Sequence, residues 1–123
     1  MKSNPVTRWA TREDIEAFSP MRDKPTIRAL CIEVDGQIVV LGGLAFSKSR
    51  WIMFCDVTNQ GRKYKVALVK AAKRMIEEAR AMGIRYVYAA DDPNETNSVR
   101  WMTSLGFKVD QRCPSLYRWS ADG

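Results

Sequence analysis

One run of residues narrows the fold more than any other: an apolar strand, a basic turn, a long two-faced helix and a second apolar strand follow one another without interruption. From Val66 to Met82 the apolar residues Val66, Leu68, Val69, Ala72, Met75, Ile76, Ala79 and Met82 recur at three- and four-residue spacing, with Lys and Glu between them. That is the pattern of a helix with one face in a core. Gly83 supplies the residue that stops such a helix in the left-handed conformation. Trp51 to Val57 before the helix and Ile84 to Ala90 after it read as strands. Strand, helix and strand at this spacing form a right-handed crossover, so the two strands lie parallel in one sheet.

The segments before this run add antiparallel strands. Thr26 to Val34 and Gln37 to Phe46 meet at Asp35-Gly36, the strongest short-range hairpin signal. Trp51 to Val57 follows after Ser47-Lys48-Ser49-Arg50, so the three strands form a meander. Nearer the N-terminus, Val6 to Trp9 reads as a short strand, and Thr11 with Asp14 opens a short helix through Phe18 as a capping-box-like pair. Ser19 to Pro25 is a loop punctuated by two prolines. Downstream, Asp91-Asp92-Pro93 ends the fifth strand. Asn94 to Leu105 reads as a helix with Val99, Met102 and Leu105 on one face, stopped by Gly106. Phe107 to Arg112 and Leu116 to Trp119 close the chain as strands around Cys113-Pro114-Ser115. The expectation is a single α/β domain over residues 1–123, a mixed antiparallel and parallel sheet flanked by helices in the order β-α-β-β-β-α-β-α-β-β. A chain of 123 residues is long enough to bury roughly two thirds of its unfolded surface in one core.

Composition removes several function classes. There is no histidine, which excludes Ser-His-Asp and Cys-His nucleophilic machinery and takes away the commonest metal ligand. Acid–base chemistry is left to Asp, Glu, Tyr, Cys, Lys, water or the substrate. The cysteines Cys31, Cys55 and Cys113 are odd in number, and the first two stand in apolar strands, where a small core residue is expected. This argues against a disulfide framework or a zinc site. No apolar run approaches about 20 residues, and the opening Met-Lys-Ser-Asn-Pro-Val has no apolar leader. A soluble, cytoplasmic protein without membrane contacts is expected. The net charge of +6 suits acidic partners such as nucleotide cofactors, nucleic acid or acidic protein surfaces, without choosing among them.

Where that charge falls is more telling. The turn Val57 to Ala67 reads V-T-N-Q-G-R-K-Y-K-V-A, so Arg62, Lys63 and Lys65 crowd a helix start that favours Asp and Glu, while Glu77 and Glu78 stand towards the other end. Each misplaced cation costs about 0.3–1 kcal/mol. A bound phosphate reverses that cost, because spare N–H groups at a helix start are donors aimed at an anion. A solvated basic face accounts for the same residues, and the two readings stand level.

The element order, the basic turn after the fourth strand and the L-G-F that follows the last helix together resemble the GCN5-related N-acetyltransferase (GNAT) superfamily. Its members carry a Gln/Arg-x-x-Gly-x-Gly/Ala segment after the fourth strand, matched here by Arg62-Lys63-Tyr64-Lys65-Val66-Ala67, with Val57 where the family's fourth-strand Val or Ile opens the turn. The opening V-T-R-W-A-T-R-E-D-I-E-A-F and the closing Ser98 to Phe107 also resemble the family, so the likeness spans nearly the whole chain. It implies acyl transfer from a coenzyme A thioester, typically acetyl-CoA, to an amine. By the same resemblance, backbone N–H groups from Arg62 through Ala67 would cradle the cofactor's pyrophosphate, and polar groups near Cys55 and Val57 would pair with the pantetheine arm. Small GNAT-like proteins are also encoded by bacteriophages, some as parts of the virion, and the resemblance extends to that origin.

Departures from the family pattern bear on catalysis. Lys65 stands where the family prefers Gly, and it can crowd the phosphate or contact it directly, an interaction of about 1–3 kcal/mol. Met102 replaces a Tyr that many relatives use as general acid. Glu95 replaces an Asn, with Asn94 and Asn97 out of register. Trp51 stands where some relatives place a glutamate base, and Asp56 points to the other sheet face from Val57. No catalytic residue is assigned. Tyr64 at the helix start is expected to pack beneath a loop. Tyr86 and Tyr88 share one sheet face, with Tyr117 on the last strand as a further aromatic, and the four Trp residues are expected in the core or at its rim.

The short Ser19 to Pro25 loop leaves no room for the second helix that walls the acceptor site in larger relatives. An open acceptor side suits an amine presented by a macromolecule or partner, or a homodimer that supplies the missing wall. Three functions therefore remain. The first is a coenzyme A-dependent N-acyltransferase. The second is a catalytically degenerate GNAT-fold binding or structural module. The third and weakest is a nucleic-acid-binding protein using Arg62, Lys63, Lys65, Lys70, Lys73 and Arg74, which lacks an aromatic and basic interleaving strong enough to count as a stacking platform.

Overall fold

A computed structural model describes residues 4–18, 26–90 and 98–122. The strands are β1 (Val6–Trp9), β2 (Thr26–Val34), β3 (Gln37–Ser47), β4 (Arg50–Val57), β5 (Tyr86–Ala90), β6 (Lys108–Asp110) and β7 (Cys113–Ser120); the helices are α1 (Arg12–Phe18), α2 (Lys65–Ala81) and α3 (Ser98–Ser104). They form one seven-stranded sheet in the order β1-β2-β3-β4-β5-β7-β6. Only β4 and β5 pair in parallel; the other neighbours are antiparallel. This is the single-domain mixed sheet with flanking helices that the sequence implies.

Local chemistry sets the boundaries. Asp35 and Gly36 both adopt positive φ, at 53° and 79°, as the two-residue hairpin turn between β2 and β3 requires. Gly83 ends α2 at φ 75°. The final hairpin differs from expectation. The chain turns at Gln111 and Arg112 rather than around Cys113-Pro114-Ser115, and β7 begins at Cys113. The Arg112 N–H donates to Asp110 Oδ1 at 3.0 Å, an Asp-anchored turn that reverses the chain early. The expected helix start at Asn94, the loop Ser19 to Pro25, and Asp91, Asp92, Glu95 and Asn97 lie outside the described residues.

The sheet is covered unequally. On one face α2 and α3 bury Leu30, Leu44, Met53, Met75, Val87 and Phe107. On the other, Ile15 and Phe18 of α1 pack on Ala29, Cys31 and Leu41, and burial pushes the Cys31 thiol pKa up. Among the described residues no helix covers that second face over β5, β7 and β6.

α1 is held by charge as well as packing. The Arg8 guanidinium on β1 donates to Asp14 at 2.7 Å and to Glu33 on β2 at 3.1 Å. Thr11 and Asp14 close the anticipated capping box: the Thr11 N–H donates to Asp14 Oδ2 at 2.7 Å, and the Asp14 N–H donates to Thr11 Oγ1 at 3.2 Å. Arg8 first, and then the Thr11 N–H and hydroxyl, hold the Asp14 carboxyl well below the usual carboxylate range. A carboxylate depressed in the folded state stabilises it above the unfolded pKa of about 4, and that stabilisation fades as pH falls through the folded value. Urea midpoints measured from pH 7 downward should therefore fall below about pH 4 in the wild type, and Asp14→Asn should lower the pH 7 midpoint and flatten the acid limb.

Candidate functional site

β5 has two neighbours and satisfies them unequally. Its whole length pairs with β7, from Tyr86↔Ser120 to Ala90↔Leu116. Its ladder with β4 is confined to Trp51↔Val87 and Ile52↔Tyr88. Among the described residues, strand pairing beyond Ile52 is to β3 alone, through Leu44↔Met53 to Val40↔Val57, so the β4 edge around Met53, Phe54, Asp56 and Val57 has no second strand there. A narrow apolar cleft opens there between the sheet, α2 and α3, with Gly42, Met53, Cys55, Leu68, Ala72 and Trp101 in its lining.

The turn that leaves β4 is clamped to β3. The Thr58 N–H and hydroxyl both donate to the Val39 carbonyl, at 2.9 and 3.1 Å. The same hydroxyl oxygen accepts the Gly61 N–H at 3.0 Å. Gly61 sits so close to β3 that a Cβ there would collide with the Val39 carbonyl oxygen and stand 2.9 Å from Val40 Cγ2. Sequence reasoning gave no role to Thr58 and none to Gly61 beyond marking the turn; the T-x-x-G spacing within Thr58-Asn59-Gln60-Gly61 is the signal that could have found them.

Past Gly61 the chain makes a single 3₁₀ turn, Gly61–Lys63, and enters α2. That turn consumes donors: the N–H groups of Arg62, Lys63 and Tyr64 donate to the carbonyls of Thr58, Gln60 and Gly61 at 3.2, 3.3 and 3.1 Å. The first helical bond runs from the Leu68 N–H to the Tyr64 carbonyl at 3.0 Å. The N–H groups of Lys65, Val66 and Ala67 are therefore the ones for which the helix has no acceptor. No side chain caps them, and no acidic residue stands in the first turn. Lys63 and Lys65 are exposed and, among the described residues, enter no ion pair. Lys65 has ordinary helical backbone rather than a positive φ, so glycine's conformational freedom is not required there.

The remaining expected residues divide. Tyr64 is half-buried and, with Val57 and Ala67, packs on Ile32, Val34, Val39 and Val40 beneath the turn. Val66 departs from the expected apolar stripe: it is 71% exposed, and α2 buries Ala72, Met75, Ile76 and Ala79 instead. Cys55 is a second correction, being exposed rather than in the core, in the lining of the cleft between the sheet and α2. Trp51 packs against Phe46 at 5.2 Å between ring centroids. Met102, Tyr117 and Trp119 are buried. Asp56 is exposed, one residue out of phase with the cleft-lining Cys55. No helix among the described residues is long and apolar enough to cross a membrane.

No protein-family model matches the sequence, and neither does any curated protein. Solved structures do. An N-acetyltransferase from Staphylococcus aureus Mu50 superposes with a TM-score of 0.73 at 16% identity, over 96% of this chain and 99% of that one. A putative acetyltransferase from Salmonella typhimurium, solved with its cofactor acetyl-CoA, gives 0.71 at 15%, over 94% and 93%. A GNAT-family acetyltransferase from Staphylococcus aureus Mu50 gives 0.68 at 12%, over 95% and 99%. The chain has the GNAT fold.

The clamp between the turn and β3 should be sensitive to small changes. Thr58→Val removes a donor and an acceptor together and should cost about 1–3 kcal/mol, read from urea unfolding. Gly61→Ala should destabilise comparably through the clash with Val39, and amide exchange should rise first in residues 58–68.

Proposed function

With that fold as the starting point, we propose that this chain is a GNAT-superfamily N-acyltransferase that moves an acyl group, in the first instance acetyl, from a coenzyme A thioester directly to an amine. One conjunction supports it: a β4 edge that, among the described residues, has no second strand beside Met53, Phe54, Asp56 and Val57 runs straight into a helix start that has spare N–H donors, exposed lysines and no carboxylate. A strand edge can bind amides through main-chain hydrogen bonds, and a bare basic helix start can bind phosphate. Coenzyme A carries both groups.

The residue roles follow from the donors that remain. The N–H groups of Lys65, Val66 and Ala67 would receive the pyrophosphate, with Arg62, Lys63 and Lys65 neutralising its charge. The Arg62, Lys63 and Tyr64 N–H groups serve the turn itself, so their part is to shape the cradle. Main-chain groups near Cys55 and Val57 would pair with the pantetheine arm, while Met53, Leu68 and Trp101 would exclude water. When bound, coenzyme A supplies an electrophilic carbonyl and a fair leaving group. The chain contributes orientation and fixed donors towards the developing negative charge. The amine must arrive neutral; its nitrogen forms the new bond to the acyl carbon as the carbon–sulfur bond breaks, and its proton leaves to water or the departing sulfur. An amine presented by a macromolecule is the acceptor this reading favours.

Met102 favours a second reading. It stands where many relatives carry a phenol, and its side chain is 4% exposed within the main core, so it offers no proton. A binding or structural module that keeps the fold without the chemistry, of the kind virions use, would tolerate it.

Calorimetric titration of acetyl-CoA separates the two. The acyltransferase reading expects micromolar binding that Lys63→Ala/Lys65→Ala weakens about tenfold or more, with a larger loss at low salt, followed by thiol release with an amine panel. Arg62→Ala should weaken binding in the same direction. Binding without turnover on any amine would support the degenerate module. Absence of binding would remove coenzyme A from both readings.

A further inference from the structure

On the side of the sheet away from α2, four strands present a face that no helix covers among the described residues and that is both basic and aromatic. β5 contributes Tyr86 and Tyr88, β4 contributes Arg50 and Ile52, β7 contributes Arg118 and β6 contributes Lys108, as the pairs Ile52↔Tyr88, Tyr88↔Arg118 and Lys108↔Arg118 establish. The Arg50 guanidinium lies over the Tyr88 ring at 5.0 Å, and those of Arg118 and Arg85 lie over Tyr86 at 4.8 and 5.7 Å. Among the described residues, Arg50, Lys108 and Arg118 enter no ion pair, whereas Arg85 meets Asp122 at 3.5 Å. Ile52 and Tyr86 are 38% and 36% exposed. At the margin of this face a groove of about 460 Å³ runs between the start of β4 and the connection from α2 to β5, with Arg50, Arg85, Tyr86 and Tyr88 along it.

We infer that this face binds single-stranded nucleic acid. Phosphates meet the unpaired cations, and bases stack on tyrosine rings or on the guanidinium planes lying over them. Alternate residues on a strand stand about 7 Å apart, so Tyr86 and Tyr88 can serve successive unstacked nucleotides. A second copy of the chain fits poorly, because a two-fold contact would set Arg50, Lys108 and Arg118 against their own like charges. A duplex fits poorly because a flat, broad face enters neither groove. An acidic peptide would use the cations and leave the tyrosines without a role. Of the carboxylates on these strands, Asp56 stands at the far end of β4 from Arg50, and Asp110, two residues from Lys108, accepts the Arg112 N–H. The surface shares no residue with the proposed coenzyme A site and does not depend on it.

The test is fluorescence anisotropy with a labelled 12-nucleotide oligouridine, repeated with the matching DNA strand, across a salt series and with saturating coenzyme A present. Binding should survive coenzyme A, Tyr86→Ala should weaken it about fivefold or more, and Arg50→Ala/Arg118→Ala should reduce the slope of log affinity against log salt by about 0.7 for each cation removed. Circular dichroism melts identify any variant that fails to fold, and Arg118→Lys, which keeps the charge and loses the stack, provides a milder probe. Three results would overturn the inference: no binding by the wild type at low salt, competition by polyglutamate as strong as by unlabelled oligonucleotide, or loss of binding on Lys63→Ala/Lys65→Ala with none on Arg50→Ala/Arg118→Ala.

Discussion

The structure turns on an unequal competition for β5. β7 pairs with it along its full length, and β4 holds only two of its residues. Backbone groups in a sheet are normally satisfied by neighbours, and a strand that loses one neighbour must offer its donors and acceptors to something else. The proposed cofactor site sits at that parting: the β4 edge that has no second strand among the described residues, the narrow cleft under α2 and the α2 start beside them.

The clamp formed by Thr58 and Gly61 converts this opening into a defined geometry. Without it, the turn that follows β4 would lose its hydrogen-bonded tie to the sheet. Tying it to the Val39 carbonyl puts the α2 start under the control of β3, which lies deep in the sheet and is paired on both sides. The spare N–H groups of Lys65, Val66 and Ala67 are thereby aimed by a rigid element.

The sequence made the architecture legible where periodicity and turn chemistry agreed. The Val66 to Met82 stripe, Gly83 and the strand after it forced the parallel crossover, Asp35-Gly36 fixed the first hairpin, and Thr11 with Asp14 gave the start of α1. It misled where burial depends on distant neighbours. Cys55 reads as a core residue because its own strand is apolar, yet it lies exposed in a cleft lined by residues of distant elements such as Leu68 and Trp101. Val66 reads as part of the helical stripe, but its neighbours Tyr64, Ala67 and Leu68 meet the sheet while Val66 falls on the solvent side of the same turn. The last hairpin turned early because an aspartate side chain, rather than a proline, set the reversal. Tyr86 and Tyr88 were legible as a pair on one strand, but Arg50, Lys108 and Arg118, which join them on the open face, come from three other strands, and no window of sequence holds them together.

Most of the proposed cofactor contacts belong to the main chain: a strand edge and three amide groups at a helix start. Such a site places few demands on side-chain identity. What it needs is a short β4–β5 ladder, a residue without a side chain at the close approach to β3, and a helix beginning at the right place. Evolution can then rewrite almost everything else. This gives a physical account of how the chain shares a fold over nearly its entire length with acetyltransferases at only 12% to 16% identity, and why such a likeness shows in backbone geometry where the sequences have little in common.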